Sequence, residues 1–204
     1  MSDPRARPLL ESDLDPDPLR QFEAWFGAAE AAGEPFPHAF ALATADPDGR
    51  PSVRMVLLKG AYEAGFVFFT GYESRKGHEL TANPHAALCF YWHGLGRQAR
   101  IEGAAARVTD AEADEYFATR PVGSRLSASV SRQSAVVRSR DELEAAVAEL
   151  RERVGDDVPR PDRWGGFRVV PETYEFWQHR DDRLHDRFRY RRERRSWLIE
   201  RLAP

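Results

Sequence analysis

The chain has 204 residues, 42% of them apolar and 11% aromatic, and a formal net charge of −3. This length and composition support one sizeable core and exclude a disordered chain, and no apolar run reaches the ~20 residues of a membrane-spanning helix. An acidic balance argues against a dedicated nucleic-acid binder, and the single Cys89 excludes an internal disulfide framework.

The opening MSDPRARPLLESDLDPDP is polar and Pro-rich and has no apolar signal-peptide core. Residues 1–15 read as a flexible lead and 16–204 as a single domain, in a soluble, cytoplasmic protein. From Pro16 to about Ala32, Leu19, Phe22, Trp25 and Phe26 recur at helical spacing, and Gly33-Glu34-Pro35 ends the helix. The period then changes. AFALATAD (39–46) and SVRMVLLKG (52–60) read as a hairpin around DPDGRP, and FVFFT (66–70) as a third strand. SRKGHELTANP (74–84) predicts a short helix with Ser74 as N-cap and Pro84 beyond its end. AALCFYW (86–92) and RQARIEGAAARV (97–108) are further strands, and 110–119 a helix started by Thr109 or Asp110.

RPVGSRLSASVSRQS (120–134) reads as a polar loop, long enough to suggest function. Residues 140–154 predict a solvated helix rich in Glu–Arg pairs. GFRVV (166–170), TYEFWQ (173–178), RFRYR (187–191) and SWLIERL (196–202) are late strands. Strands dominate, with helices between them, which suggests an antiparallel barrel with helical decoration.

Three groups of cations stand out. RLHDRFRYRRERR (183–195) holds seven arginines and one histidine. From Arg183 to Arg191 a period-two alternation puts cations on one face and mainly bulk on the other, and Arg191–Arg195 reads as a turn before the last strand. Arg189, Arg191, Arg192, Arg194 and Arg195 read as a solvated face, whereas for Arg183, His185 and Arg187 scaffold and site are equally consistent. SRK (74–76) sits at a predicted helix start, where free backbone N–H groups and the helix dipole suit a phosphate. Arg54 and Lys59 share a strand but face opposite ways if it is regular. A shared site needs a bulge, or Lys59 at the strand's end beside Gly60. His38, His78, His85, His93, His179, His185 and Cys89 show no metal-ligand spacing. Cys89 reads as a small buried hydrophobe. There is no G-x-S-x-G elbow, and GLG (94–96) lacks the context of a dinucleotide loop.

Taken in order, RMVLLK (54–59), FFTGYESRK (68–76), RQARIEG (97–103), YFATRPVGS (116–124), SVSRQS (129–134), WGGFRV (164–169), EFWQ (175–178), RLHDRF (183–188) and the closing RLAP resemble the pyridoxine (pyridoxamine) 5′-phosphate oxidase family. The resemblance implies a mainly β fold with helices, an FMN-binding split β-barrel that is homodimeric, with FMN in clefts at the subunit interface. It implies FMN contacts from Arg54, Met55, Val56, Leu57, Leu58 and Lys59, from Phe69 and Thr70 along the flavin, and from Arg75 and Lys76 at its phosphate. Gln98, Gln133, Ser134, Trp177 and Arg187 would complete that site, partly from the partner chain.

By the same resemblance, Lys59, Tyr116, Arg120 and Ser124 hold the substrate phosphate, and Arg183 and His185 are the catalytic pair over the pyridine ring. Tyr116 and Arg120 also fit an ordinary i,i+4 surface pair, and Trp177 a core aromatic. The implied reaction takes a hydride from C4′ of pyridoxine or pyridoxamine 5′-phosphate to flavin N5 and reduces O2 to hydrogen peroxide. The partners expected are phosphorylated B6 vitamers, O2 and a second copy of the chain, with no metal, nucleic acid or membrane.

The sequence departs from the family's pattern in three places. The lead offers only Arg5 and Arg7 where the family often has an Arg/Tyr-containing cover. Phe69 stands where Tyr is common, and Ser129 replaces a bulkier aromatic. A related flavin oxidase of phenazine biosynthesis shares the RLH and SVSRQS stretches, but Lys59, Arg120 and Ser124 favour a phosphorylated substrate. A non-catalytic flavin- or pyridoxal-phosphate-binding carrier remains open on sequence alone.

Overall fold

The computed structural model describes residues 7–194 and 196–204. Arg5 and Arg195 lie outside them. Helix α1 (Pro18–Ala31) begins where Asp17 caps the Leu19 N–H at 2.9 Å and Pro18 occupies the first turn. It turns Phe22, Trp25 and Ala29 inward. Strands β1 (Ala39–Ala45) and β2 (Pro51–Leu57) form the expected hairpin. Asp46 accepts from the backbone of Asp48 and Arg50 across the turn, and Gly49 supplies a φ of +79°.

β2 stops at Leu57, and a short strand β3 (Gly60–Tyr62), which the sequence pattern did not reveal, pairs with β4 (Gly65–Gly71). Helix α2 (Arg75–Ala82) is capped by Ser74 as expected. β5 (His85–Trp92), β6 (Arg97–Arg107) and α3 (Asp110–Thr119) follow. A capping box joins Thr109 and Glu112 at the start of α3.

The polar loop expected at 120–134 is corrected. Residues 122–130 form helix α4 (Val122–Val130), preceded by Pro121 at the N-cap. Only Leu126 is buried there, so no apolar stripe marked the helix in a run of Ser, Gly and Ala. Helix α5 (Arg140–Val154) buries none of its residues, as its charge pattern predicts.

The strands expected at 166–170 and 173–178 are one strand, β7 (Trp164–Gln178). Its register against β6 steps from Gly103↔Pro171 to Glu102↔Thr173, leaving Glu172 as the extra residue. Pro171 ends regular pairing without ending the strand, because a bulge absorbs the lost donor. β8 (Asp186–Glu193) and β9 (Ser196–Arg201) complete a nine-stranded antiparallel sheet of order β2-β1-β5-β6-β7-β4-β3, with β8 on β7 and β9 on β8. β7 thus pairs with β4 before the bulge and with β8 after it.

The sheet curls around Phe40, Phe66, Phe68, Phe90, Phe176 and Phe188, all fully buried, and α1 packs against it with Phe22 4.9 Å from Phe66 and 5.0 Å from Phe90. In the N-terminal segment, Leu9 is buried in this core and its N–H donates to Asp186 at 3.1 Å. No helix of the described residues is long and apolar enough to cross a membrane.

Candidate active site

A cleft of about 1110 Å³ opens between β2, the end of β4, the first turn of α2, α3, α4 and the segment 131–134. Arg54, Met55, Val56, Leu57, Lys59, Phe69, Thr70, Arg75, Lys76, Tyr116, Arg120, Ser124, Gln133 and Ser134 all line it. Arg54 and Lys59 reach the same cleft because β2 ends at Leu57, and Lys59 N–H instead donates to Val67 O at 2.8 Å. Leu58 is the exception within this stretch. Its side chain is buried in the core, and its N–H donates to His38 O at 2.8 Å.

The first cationic group surrounds the start of α2. Gly77 lets this helix approach the preceding turn, since a Cβ there would lie 2.2 Å from Tyr72 O. Lys76 is buried, and its Nζ donates to Thr70 Oγ1 at 3.0 Å, Gln133 Oε1 at 3.3 Å and Ser74 Oγ at 3.4 Å. Burial, and then the charge of Arg54, push this ammonium down to about 8, against the pull of Glu79. Gln133 Oε1 also accepts from Thr70 Oγ1 at 2.8 Å and from Gly71 N at 3.1 Å, and Ser134 Oγ accepts from Arg75 N at 3.3 Å.

Beneath these cations lies Glu79, which the sequence reading did not single out. It is 5% exposed and accepts from Thr44, Ser52, Arg54 and Arg75, the last at 2.8 Å. Burial alone would raise its pKa, but hydrogen bonds from Ser52, Thr44, Arg75 and Arg54 outweigh it and hold the carboxyl at about 2. Its position four residues after Arg75 was the available signal.

The second cationic group has a different support. Phe69, Tyr116 and Trp164 stack nearly parallel, with Phe69 4.0 Å from Tyr116 and 5.5 Å from Trp164. Lys59 Nζ lies 5.8 Å from the Tyr116 centroid. The Arg120 guanidinium lies 4.7 Å from the Trp164 centroid and 5.6 Å from that of Phe117. Its Nη1 is buried without a hydrogen-bond partner, and burial lowers its pKa against the opposing influence of Tyr116. Arg163 also lines the cleft with its Nε unpartnered while its Nη2 donates to Ser129 O. Trp164 and Arg163 were missed as site residues, because WGGF reads equally as a strand start.

The remaining expected residues lie elsewhere. Gln98, Trp177 and Arg187 are cross-strand neighbours on β6, β7 and β8, and the His185 ring lies 4.6 Å from that of Trp177, tilted by 42°. None of these four, nor Arg183, lines the cleft of their own chain. Cys89, expected as a buried hydrophobe, is half-buried and donates its Sγ–H to Gln98 Oε1 at 2.9 Å. Arg187 donates to Glu175 at 2.8 Å and to Ala203 O at 2.8 Å. Arg183 holds a φ of +67° in the turn before β8.

His185 Nδ1 faces the Arg180 N–H at 3.0 Å and so accepts, which puts the proton of the neutral ring on Nε2. Burial, then His179 and Arg183, lower its pKa and favour that neutral form. Arg189 pairs with Glu200 and Arg191 with Glu193, as a solvated face should. Among the described residues no group of His, Cys, Asp or Glu could hold a metal.

The donor set fits a phosphorylated flavin. A buried ammonium with no carboxylate hydrogen-bonded to it, a helix N-terminus and the Arg75 guanidinium can take its phosphate, and Phe69 supplies an aromatic wall. The second group, with an unpartnered buried guanidinium nitrogen, is free for another anion.

Residues 29–153 match the family model described as pyridoxamine 5′-phosphate oxidase, and residues 164–204 match that of the pyridoxine 5′-phosphate oxidase C-terminal dimerisation region. The chain is 56% identical to a pyridoxine/pyridoxamine 5′-phosphate oxidase of Burkholderia multivorans, over 96% of this chain and 93% of that one. It is 57% identical to the same-named protein of Rubrobacter xylanophilus, over 96% and 91%. Among solved structures, PhzG of Burkholderia lata in complex with tetrahydrophenazine-1-carboxylic acid superposes with a TM-score of 0.92 at 36% identity, covering 98% of this chain and 100% of that one. A pyridoxamine 5′-phosphate oxidase-related protein of Nostoc punctiforme shares the fold, with a TM-score of 0.74 at 19% identity over 94% and 100%. By both family models and by these relatives, the chain belongs to the pyridoxamine 5′-phosphate oxidase family.

Proposed function

We propose that this chain is an FMN-dependent oxidase that forms pyridoxal 5′-phosphate. Pyridoxine 5′-phosphate and O2 give pyridoxal 5′-phosphate and hydrogen peroxide; the amine substrate takes up water as well and releases ammonia. The family binds FMN, and the bound flavin supplies the redox chemistry, taking two electrons from substrate C4′ for delivery to O2. The observation that carries the reading is the pair of separate cationic groups in one cleft, one around Lys76 and one around Arg120. Two phosphates, one on the cofactor and one on the substrate, match them.

The chain's own residues then have distinct tasks. Arg75, Lys76, Gln133 and Ser134 hold the cofactor phosphate, and Arg54 with the backbone of 55–59 shapes the flavin edge. Lys59, Tyr116, Arg120 and Ser124 bind the substrate phosphate. Arg183 and His185 orient the pyridine ring, His185 through the proton on Nε2. Orientation of C4′ supplies much of the rate, and little acid–base machinery is required.

Gln98, Trp177, Arg183, His185 and Arg187 act across the interface of a homodimer, as part of the site of the second copy. That they do not line their own chain's cleft, and the match of 164–204 to a dimerisation region, support this. Residues 16–204 act as one domain, and the protein works in the cytoplasm.

The similarity to PhzG supports the fold, while the higher identity to the named B6 oxidases favours this reading over a phenazine-type oxidase. Anaerobic addition of pyridoxine 5′-phosphate to the FMN-loaded protein tests it. The visible flavin band should bleach and return in air, with pyridoxal 5′-phosphate formed. A bound flavin that neither the alcohol nor the amine substrate bleaches would overturn the assignment.

A further inference from the structure

Arg120 is a half-buried cation with an unusual neighbourhood. The acidic side chains of α3 that form ion pairs are all committed to other arginines. Asp110 and Asp114 hold Arg160, at 2.9 and 2.5 Å, and Glu112 holds Arg168. No carboxylate pairs with Arg120 among the described residues, and its buried Nη1 has no partner. What it has is the face of Trp164 at 4.7 Å and of Phe117 at 5.6 Å.

Trp164 is itself held firmly. It is the first residue of β7, paired with Gly71, and its N–H donates to Pro161 O at 2.8 Å. Its ring stacks on Phe69 at 5.5 Å and meets Phe117 edge-on at 4.9 Å. Its carbonyl accepts from Arg160 Nη1 at 2.8 Å. The ring is therefore a fixed platform.

A guanidinium can be held by its face or by its edge. A carboxylate takes the edge, where the N–H donors are, and so competes with any incoming phosphate. An aromatic ring takes the face and leaves the edge donors free. We infer that Trp164 is a positioning residue that sets the preference for a phosphorylated substrate, holding Arg120 face-on so that its edge, with the buried Nη1, is kept for the substrate phosphate. This rests on the proposed oxidase reading and adds to it a residue that does not itself touch the substrate.

The test uses FMN-loaded dimers of the wild type, Arg120→Ala, Trp164→Leu, Trp164→Phe and the doubles with Arg120→Ala. The dissociation constants of pyridoxal 5′-phosphate and of pyridoxal are measured by calorimetry, together with kcat and KM for pyridoxine 5′-phosphate. Trp164→Leu should reduce the preference for the phosphorylated ligand about tenfold, with KM rising more than kcat falls, and Trp164→Phe by only about threefold because a ring face remains. Neither change should reduce the preference further once Arg120 is alanine.

An equal loss for both ligands, or the same loss without Arg120, would show Trp164 to be mere scaffold and overturn the inference. If Trp164→Leu does not fold, Trp164→Phe with its double carries the same comparison. If Arg120→Ala itself leaves the preference intact, the substrate-phosphate assignment falls and the inference falls with it. If Arg120→Ala abolishes the preference and the Trp164 variants do not, only the inference falls.

Discussion

Glu79 accepts the Arg75 Nε–H at 2.8 Å from one helical turn away, and the same carboxylate accepts from Arg54 on β2. One buried anion thus fixes two cations from different elements along the cleft. It also balances part of their charge before any phosphate arrives, which distinguishes this group from the one around Arg120.

Glu79→Gln should therefore destabilise the fold. Removing one partner of a buried, hydrogen-bonded charge cluster costs about 3–5 kcal/mol. The carboxyl sits at about 2 in the folded protein, below its ordinary 4.5, so its contribution is full above pH 4.5 and is lost as pH falls towards 2. Urea unfolding at neutral and acidic pH checks both statements. The variant should show a weaker loss of stability between pH 5 and 3 than the parent.

Lys76, with its ammonium at about 8 instead of 10.5, should make FMN binding pH-dependent. Phosphate needs the charged form, so affinity should fall as pH rises through 8, by up to about tenfold per unit, measured by flavin fluorescence quenching. The apoprotein should show the opposite trend from this group. Between 8 and 10.5 the unfolded chain binds the extra proton, so stability rises with pH. Lys76→Met should abolish the pH step in FMN binding.

Lys59→Ala and Arg120→Ala should each raise KM for pyridoxine 5′-phosphate while FMN stays bound. The loss of one charge-assisted contact is about 1.5–3 kcal/mol. Steady-state kinetics with the flavin content of the purified variants decides it. An unchanged KM in either would remove that residue from the phosphate site.

Mixing the impaired dimers Lys59→Ala and Arg183→Ala, with subunit exchange, should raise the activity measured at substrate concentrations well below the KM of the Lys59→Ala variant. If each site takes Lys59 from one copy and Arg183 from the other, half of the dimers are mixed and each carries one intact site in two. About one quarter of the wild-type activity should return. No recovery after demonstrated exchange would place both residues in the site of a single chain.

Much of the fold was legible where local chemistry speaks for itself. Asp17, Ser74 and Thr109 cap helices as their types and positions predict, and the alternation in β1 places Phe40, Leu42 and Thr44 inside. α4 was not legible, because a helix that buries only Leu126 leaves no periodic stripe. Nor was the continuity of β7, since Pro171 normally stops a strand and only the bulge against Gly103 carries it on.

The cleft residues could be named from ordered motifs, but their electrostatics could not. Glu79 became a hub only once Thr44, Ser52 and Arg54 had been folded against it. Trp164 and Arg120 are far apart in the chain, and nothing local announces their contact.

Because strand side chains alternate, Glu172 acts as a phase shift between the two halves of β7. With it in place, Phe176 is fully buried and Trp177 is presented beside Arg187 and His185. A chain shortened by that single residue would have to choose between keeping Trp164 in phase with Gly71 and keeping Trp177 in phase with Arg187. A length change of one, at a solvent-facing glutamate that looks dispensable, would invert one wall of the molecule.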